Sequence, residues 1–183
     1  MNKTLLSAAL IAGFGIAALA PQAARASDGT ITFNGKVLSS TCTVSNASGG
    51  IVTVTLPDVP YTAFTGTGST AGLKAFSLNL TGCPTTPAGV VVGASFSGNS
   101  NIDGSTGAIK NAAGAGNSNV EVQMTDGSGT AINLNTNSNP VSASINGSGA
   151  ATLNYQAQYY QPTSTAVTAG TVNTSVAFTL TYN

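Results

Sequence analysis

The stretch Gly170-Thr-Val-Asn-Thr-Ser-Val-Ala-Phe-Thr-Leu-Thr-Tyr-Asn183 decides the fold. Val176, Phe178, Leu180 and Tyr182 alternate with Ala177, Thr179 and Thr181, the period-2 pattern of a β-strand with one buried face. The sequence closes at Asn183, so no later residue is expected to pair with this strand. Its open side must be covered by an earlier segment or by another polypeptide, because a bare apolar edge invites aggregation.

A matching pattern stands near the other end. Ile31, Phe33, Gly35 and Val37 fall on one face of an extended segment, and Thr30, Thr32, Asn34 and Lys36 on the other. An ordinary first strand would give the same alternation. Gly35 argues for a different use, since glycine weakens a core strand but lets another backbone or a bulky side chain approach closely.

Ahead of that segment, Lys3 is followed by the apolar run Leu5 to Ala20, then by Pro21 and by Ala24-Arg25-Ala26. A basic start, an apolar core and a small-x-small site predict a cleaved secretory signal over residues 1–26, cut between Ala26 and Ser27. As an uncleaved anchor the run falls short of the ~20 residues that span a bilayer. The predicted mature chain, Ser27 to Asn183, has the size of one domain.

That chain carries Lys36, Lys74 and Lys110 against Asp28, Asp58, Asp103, Glu121 and Asp126. So sparse and slightly acidic a balance offers no footprint for nucleic acid or for an anionic membrane. Polarity comes instead from Ser, Thr, Asn and Gly, which give an uncharged, hydrogen-bonding surface. Cys42 and Cys83 are the two cysteines of the chain. In an exported protein they are expected to form one disulfide. Closing a loop of about 41 residues stabilises by about 4 kcal/mol in the chain-entropy account.

Strand patterns fall at Thr30 to Val44, Ile51 to Leu56, Leu73 to Leu80, Val90 to Phe96, Val120 to Met124, Ala131 to Leu134, Ala151 to Tyr160 and Val176 to Tyr182. Short strands separated by Gly/Asn/Ser turns predict an all-β sandwich. Gly98 to Asn119 reads as a long surface loop, punctuated by Ile102, Ala108 and Ile109.

Catalytic chemistry has little to stand on. The chain has no histidine, which removes Ser-His-Asp and Cys-His catalysis and any histidine-based metal site. Asp103-Gly104 and Asp126-Gly127 read as turns, each offering one carboxylate where calcium needs several oxygens. Glu121 and Asp126 are close enough in sequence to be weighed as a glycosidase-like pair. Tyr155, Tyr159 and Tyr160 are weighed as a sugar-stacking platform, with strand packing as the simpler account. No enzyme, no cofactor and no metal site is expected.

Several of these residues together resemble the pilins of the chaperone–usher pathway, the subunits of type 1 and P pili. They are Phe33-Asn-Gly35-Lys-Val37 before Cys42, Leu78-Asn-Leu80-Thr-Gly-Cys83, Tyr155-Gln-Ala-Gln-Tyr159, Gly170 fourteenth from the end and the penultimate Tyr182. The resemblance spans the mature chain. It implies an incomplete immunoglobulin-like sandwich lacking its last strand, with residues 39–183 as the pilin domain and 27–38 as a donor-strand extension. It implies an acceptor groove, also used by the chaperone, at Gly170, Val176, Phe178, Leu180, Tyr182 and Asn183. The donated residues would be Gly29, Ile31, Phe33, Gly35 and Val37. Expected partners are other copies of the chain or sibling pilins, a periplasmic chaperone and an outer-membrane usher, the membrane being met only through the usher. The implied function is a structural subunit of an adhesive fimbrium on the cell surface. The alternative is a minor or tip pilin that binds host glycans, and a third reading is a monomeric sandwich completed by its own first strand.

Overall fold

β-Branched and aromatic residues alternating with small polar ones build antiparallel strands, with a single turn of 3-10 helix at Tyr61–Ala63 among the described residues. The computed structural model describes residues 31–183 apart from Asn34, Lys36, Ser97 and 113–118. The expected signal over residues 1–26, its cleavage point, Gly29 and Thr30 lie outside the described residues. The chain divides into two units, residues 1–36 and 37–183. In the first, Ile31, Thr32, Phe33 and Gly35 are described, and all four are exposed.

The second unit is the sandwich. Its strands are β1 (Thr43–Val44), β2 (Thr70–Thr81), β3 (Val91–Ser95), β4 (Ile109–Lys110), β5 (Glu121–Asp126), β6 (Ser142–Ser144), β7 (Ala151–Tyr160) and β8 (Thr179–Tyr182). One sheet runs β1-β2-β7-β5-β4 and the other β6-β3-β8. The long β2–β7 pair is the spine of the larger sheet, in register from Thr70 opposite Tyr160 to Leu80 opposite Ala151. A bulge between Ala71 and Lys74 interrupts it. Gly72 sits in that bulge at φ +71°, and a Cβ there would lie 2.9 Å from the Tyr159 ring, so glycine is required on both counts.

Along β7, Ala151, Leu153, Tyr155 and Ala157 point inward and are buried, while Thr152 and Asn154 are exposed. They meet Leu78 and Leu80 of β2, Val92 and Ala94 of β3, and Met124 of β5 in one core. Burial of such side chains contributes ~1.5–3 kcal/mol each and drives the two sheets together. Cys42 and Cys83 are disulfide-bonded. Because Thr43 lies opposite Thr81, the bond stitches the short edge strand β1 to the end of β2.

Several boundaries differ from the sequence reading. Thr30 to Val44 is not one strand: pairing begins at Thr43, and the described residues before it carry no ladder. Ile51 to Leu56 alternates in burial but forms no ladder beyond the bridge from Ile51 to Ser48. Ala131 to Leu134 is not a strand either. Ile132 donates to Met124 O (2.9 Å) and Leu134 to Gly107 O (3.0 Å), so its backbone divides between two neighbours. Of the expected Val176 to Tyr182, only Thr179–Tyr182 pairs as a strand. The described part of the 98–119 segment, residues 98–112 and 119, is held down from within, since Ile102, Ala108 and Ile109 are all buried and Ile109–Lys110 pairs with β5.

Candidate functional site

The carboxyl-terminal segment combines an alternating inner face with two unlike edges. From Val172 to Tyr182 the even-numbered residues are half-buried and the odd-numbered ones exposed. Val172, Val176, Phe178, Leu180 and Tyr182 all pack against the core. In a strand, the N–H and C=O of one residue point to the same edge, and successive residues to opposite edges. The odd edge is occupied. Asn183 exchanges both backbone hydrogen bonds with Val91 (2.9 and 3.0 Å), and Thr181 and Thr179 lie opposite Gly93 and Ser95. Upstream, Ala177, Ser175, Asn173 and Thr171 are bonded to the 99–112 loop. Among the described residues, the backbone groups of Val172, Thr174, Val176, Phe178, Leu180 and Tyr182 have no partner on the even edge.

A second unpaired stretch has the same character. Val52, Val54 and Leu56 are half-buried between exposed Thr53 and Thr55, and Val52 and Leu56 pack on the core that holds Phe178. Among the described residues, 52–59 make no backbone hydrogen bond. At the end of the last strand, the Cys42 N–H donates to the Tyr182 hydroxyl (2.7 Å). Tyr182 thereby links the last strand to the disulfide-anchored start of the first.

Behind Phe178 an aromatic chain runs into the core. Phe178 lies 6.2 Å from Phe96, Phe96 meets Tyr155 edge-on at 5.9 Å, and Tyr155 stacks on Phe76 at 5.5 Å between ring centroids. Aromatic geometry of this kind adds ~0.5–1.5 kcal/mol per pair beyond area burial. Burial pushes the Tyr155 phenol up to about 12, so it is neutral throughout the physiological range. Fully buried, Tyr155 is core and no part of a sugar platform.

Of the expected groove residues, Val176, Phe178, Leu180 and Tyr182 lie together on the inner face, whereas Asn183 is exposed and pairs with β3, and Gly170 is exposed before the segment begins. Val172 and the Val52–Leu56 alternation were not among the expected groove residues, although strict alternation marks both. The expected donor residues Ile31, Phe33 and Val37 are 79, 89 and 96% exposed, far above what apolar residues of their size show in a core. A Cβ on Gly35 would meet nothing within 4 Å.

The carboxylates sit apart from this edge. Glu121 and Asp126 open and close β5, about 17 Å apart at strand rise, too far for a glycosidase pair. Burial pushes Glu121 up, opposed by the Thr106 hydroxyl donating to it at 2.7 Å. Asp126 is a turn residue whose Oδ1 accepts from the Ser128 hydroxyl (2.7 Å) and from the N–H groups of Ser128 and Thr130 (2.9 Å each). The Ser128 hydroxyl is the main cause of its fall to about 2. Asp103 is likewise lowered, chiefly by the Ser105 hydroxyl.

Residues 31–183 match the family described as fimbrial protein. The chain belongs to that family. The pilin is 40% identical over 179 residues to the major fimbrial subunit SMF-1 of Stenotrophomonas maltophilia (strain K279a), covering 91% of this chain and 99% of that one. The P pilus rod subunit PapA superposes with a TM-score of 0.61 at 16% identity, over 79% of this chain and 100% of its own. A chaperone–usher pilus subunit from a structure concerned with rod uncoiling gives 0.55 at 19% identity, over 90% and 100%. These two likenesses bear on fold, and they make the sandwich the immunoglobulin-like one of pilins. The protein is a structural subunit of a surface fimbrium.

Proposed function

We propose that this pilin polymerises by donor-strand exchange, its own residues 27–38 serving as the donated strand after removal of residues 1–26. The even edge of Val172–Tyr182 is the acceptor, with Val52, Val54 and Leu56 as the opposite lip. Ile31, Phe33 and Val37 of another copy or a sibling pilin fill the groove. Gly35 takes the closest approach and Gly29 the far end. A periplasmic chaperone occupies the same edge first, and an outer-membrane usher hands the subunit on to the surface.

One observation carries the reading: a row of unpartnered backbone groups lies beside half-buried apolar side chains, in a chain whose apolar Ile31, Phe33 and Val37 are exposed. Strand addition at a sheet edge satisfies both at once. Burying Ile31, Phe33 and Val37 contributes about 5–9 kcal/mol from side chains alone. Each ladder hydrogen bond adds a net ~1 kcal/mol. Association entropy opposes this, but docking also completes a sandwich, so the joint opens only as fast as the fold does.

Deleting residues 27–38 tests the proposal. Recovery of the subunit with its chaperone should persist while filaments disappear. Filaments of normal length from the deleted chain would show that the donor lies elsewhere.

A further inference from the structure

Upstream of Thr179 the segment pairs with no named strand, yet each odd residue from Thr171 to Ala177 is hydrogen-bonded to one loop. Three asparagine side chains of one loop do the work of a strand there. Asn99 is bidentate on Ala177, its Nδ2 donating to the carbonyl (3.0 Å) and its Oδ1 accepting from the N–H (2.9 Å). Asn101 Nδ2 donates to the Ser175 carbonyl (3.1 Å). Asn111 spans two residues, donating to Thr171 O (3.2 Å) and accepting from Asn173 N–H (3.0 Å). The loop backbone adds two more: Ala112 N–H donates to Asn173 O (3.0 Å), and Lys110 O accepts from the Thr174 hydroxyl (2.6 Å).

A primary amide carries one carbonyl and one NH2, so it can imitate the donor–acceptor pair a strand residue presents at a ladder position. The imitation is in register. Thr171, Asn173, Ser175 and Ala177 are successive odd residues, and each receives its bond from this loop. The loop is itself anchored, through buried Ile102, Ala108 and Ile109 and through the pairing of β4 with β5. Asn99 Nδ2 also reaches Phe96 O (2.5 Å), fastening the start of the loop to the end of β3.

We propose that Asn99, Asn101 and Asn111 are positioning residues for strand exchange. Their amides form a surrogate strand that holds residues 171–177 straight and presents the opposite, even edge to an incoming donor. The inference rests on the donor-strand reading above. A β-strand in this place would need its own far edge covered, whereas side-chain amides end the sheet without creating another sticky edge. The Asn- and Gly-rich composition of 98–112 then has a purpose that a plain surface loop would not require.

The test uses the full-length pilin as its chaperone complex, with an excess of a fluorescent synthetic peptide copying residues 27–40 as the donor. Capture rates are measured for the unaltered chain, for Asn101→Ala, for Asn99→Ala and for the Asn99→Ala/Asn111→Ala pair. Amide hydrogen exchange is followed in the peptide-filled protein. Capture should slow progressively, by about tenfold or more in the pair. Protection should fall at Asn173 and Ala177, while amides of β2, β5 and β7 keep theirs. Asn99→Asp retains an acceptor for the Ala177 N–H but sets a carboxylate oxygen against the Ala177 carbonyl. It should restore protection at Ala177 without restoring the rate. Asn101→Ala removes one bond and keeps the test informative should the pair not fold. Equal capture rates in all variants, with the unaltered chain capturing normally, would overturn the clamp alone. An unaltered chain that exchanges its chaperone for no peptide would overturn the donor reading and the clamp with it.

Discussion

Tyr182 does two jobs that its half-buried class conceals. Its ring belongs to the apolar inner face of the last strand, and its hydroxyl accepts the Cys42 N–H at 2.7 Å. Phenylalanine there keeps the ring and orphans the amide. Tyr182→Phe should cost about 1–2 kcal/mol in denaturant unfolding of the donor-filled subunit while leaving polymerisation intact. Asp126 makes a prediction about pH. Its folded-state value, about 2, lies below the ordinary carboxylate value of about 3.9, so its contribution to stability is present above the latter and is lost as pH falls toward the former. The melting-temperature advantage of the unaltered protein over Asp126→Asn should be constant above about pH 5 and shrink as pH 2 is approached. A gap that stays constant down to pH 2 would contradict the assignment of the Ser128 and Thr130 contacts as the cause.

At the scale of elements, side-chain alternation was a faithful guide to faces and a poor guide to pairing. β7 was legible from end to end, because Ala151–Ala157 places every second residue in the core and the strand pairs on both sides. The last strand alternates equally well from Val176, yet its ladder starts at Thr179. Alternation reports which side chains are inward, while a ladder also needs a backbone neighbour, and upstream the neighbours are asparagine side chains. No local pattern could disclose them, since an asparagine bonded to a backbone some 60–80 residues away looks like any turn asparagine. β6, Ser142–Ser144, escaped notice for the opposite reason: a short strand of small, part-exposed residues carries no apolar signal. The groove itself makes the element-scale prediction. Phe178 packs on Phe96, and a carboxylate there would be set against an aromatic wall. Phe178→Asp should reduce recovery of the subunit with its chaperone at least tenfold, measured by co-purification from the periplasm. Recovery equal to that of the unaltered chain would remove Phe178 from the acceptor edge.

For the whole molecule, composition and order were enough to reach an all-β sandwich, one disulfide and a surface polymer. Cys42 and Cys83 are bonded, the core is built from the alternating strands, and the chain is a fimbrial subunit. What the sequence left open was the shape of the incompleteness. The expected acceptor was a single strand, whereas unpartnered backbone is found on the even residues of Val172–Tyr182 and also over residues 52–59. The geometry of the joint is best tested in the finished fibre. A photo-crosslinking phenylalanine analogue placed at Phe33, in filaments assembled from mixed heavy- and light-isotope subunits, reports both the site and the copy it touches. The account predicts crosslinks from position 33 to residues 172–182 or 52–56, in peptides that pair heavy with light. Crosslinks confined to one copy, or made to the outer faces of the sheets, would contradict it.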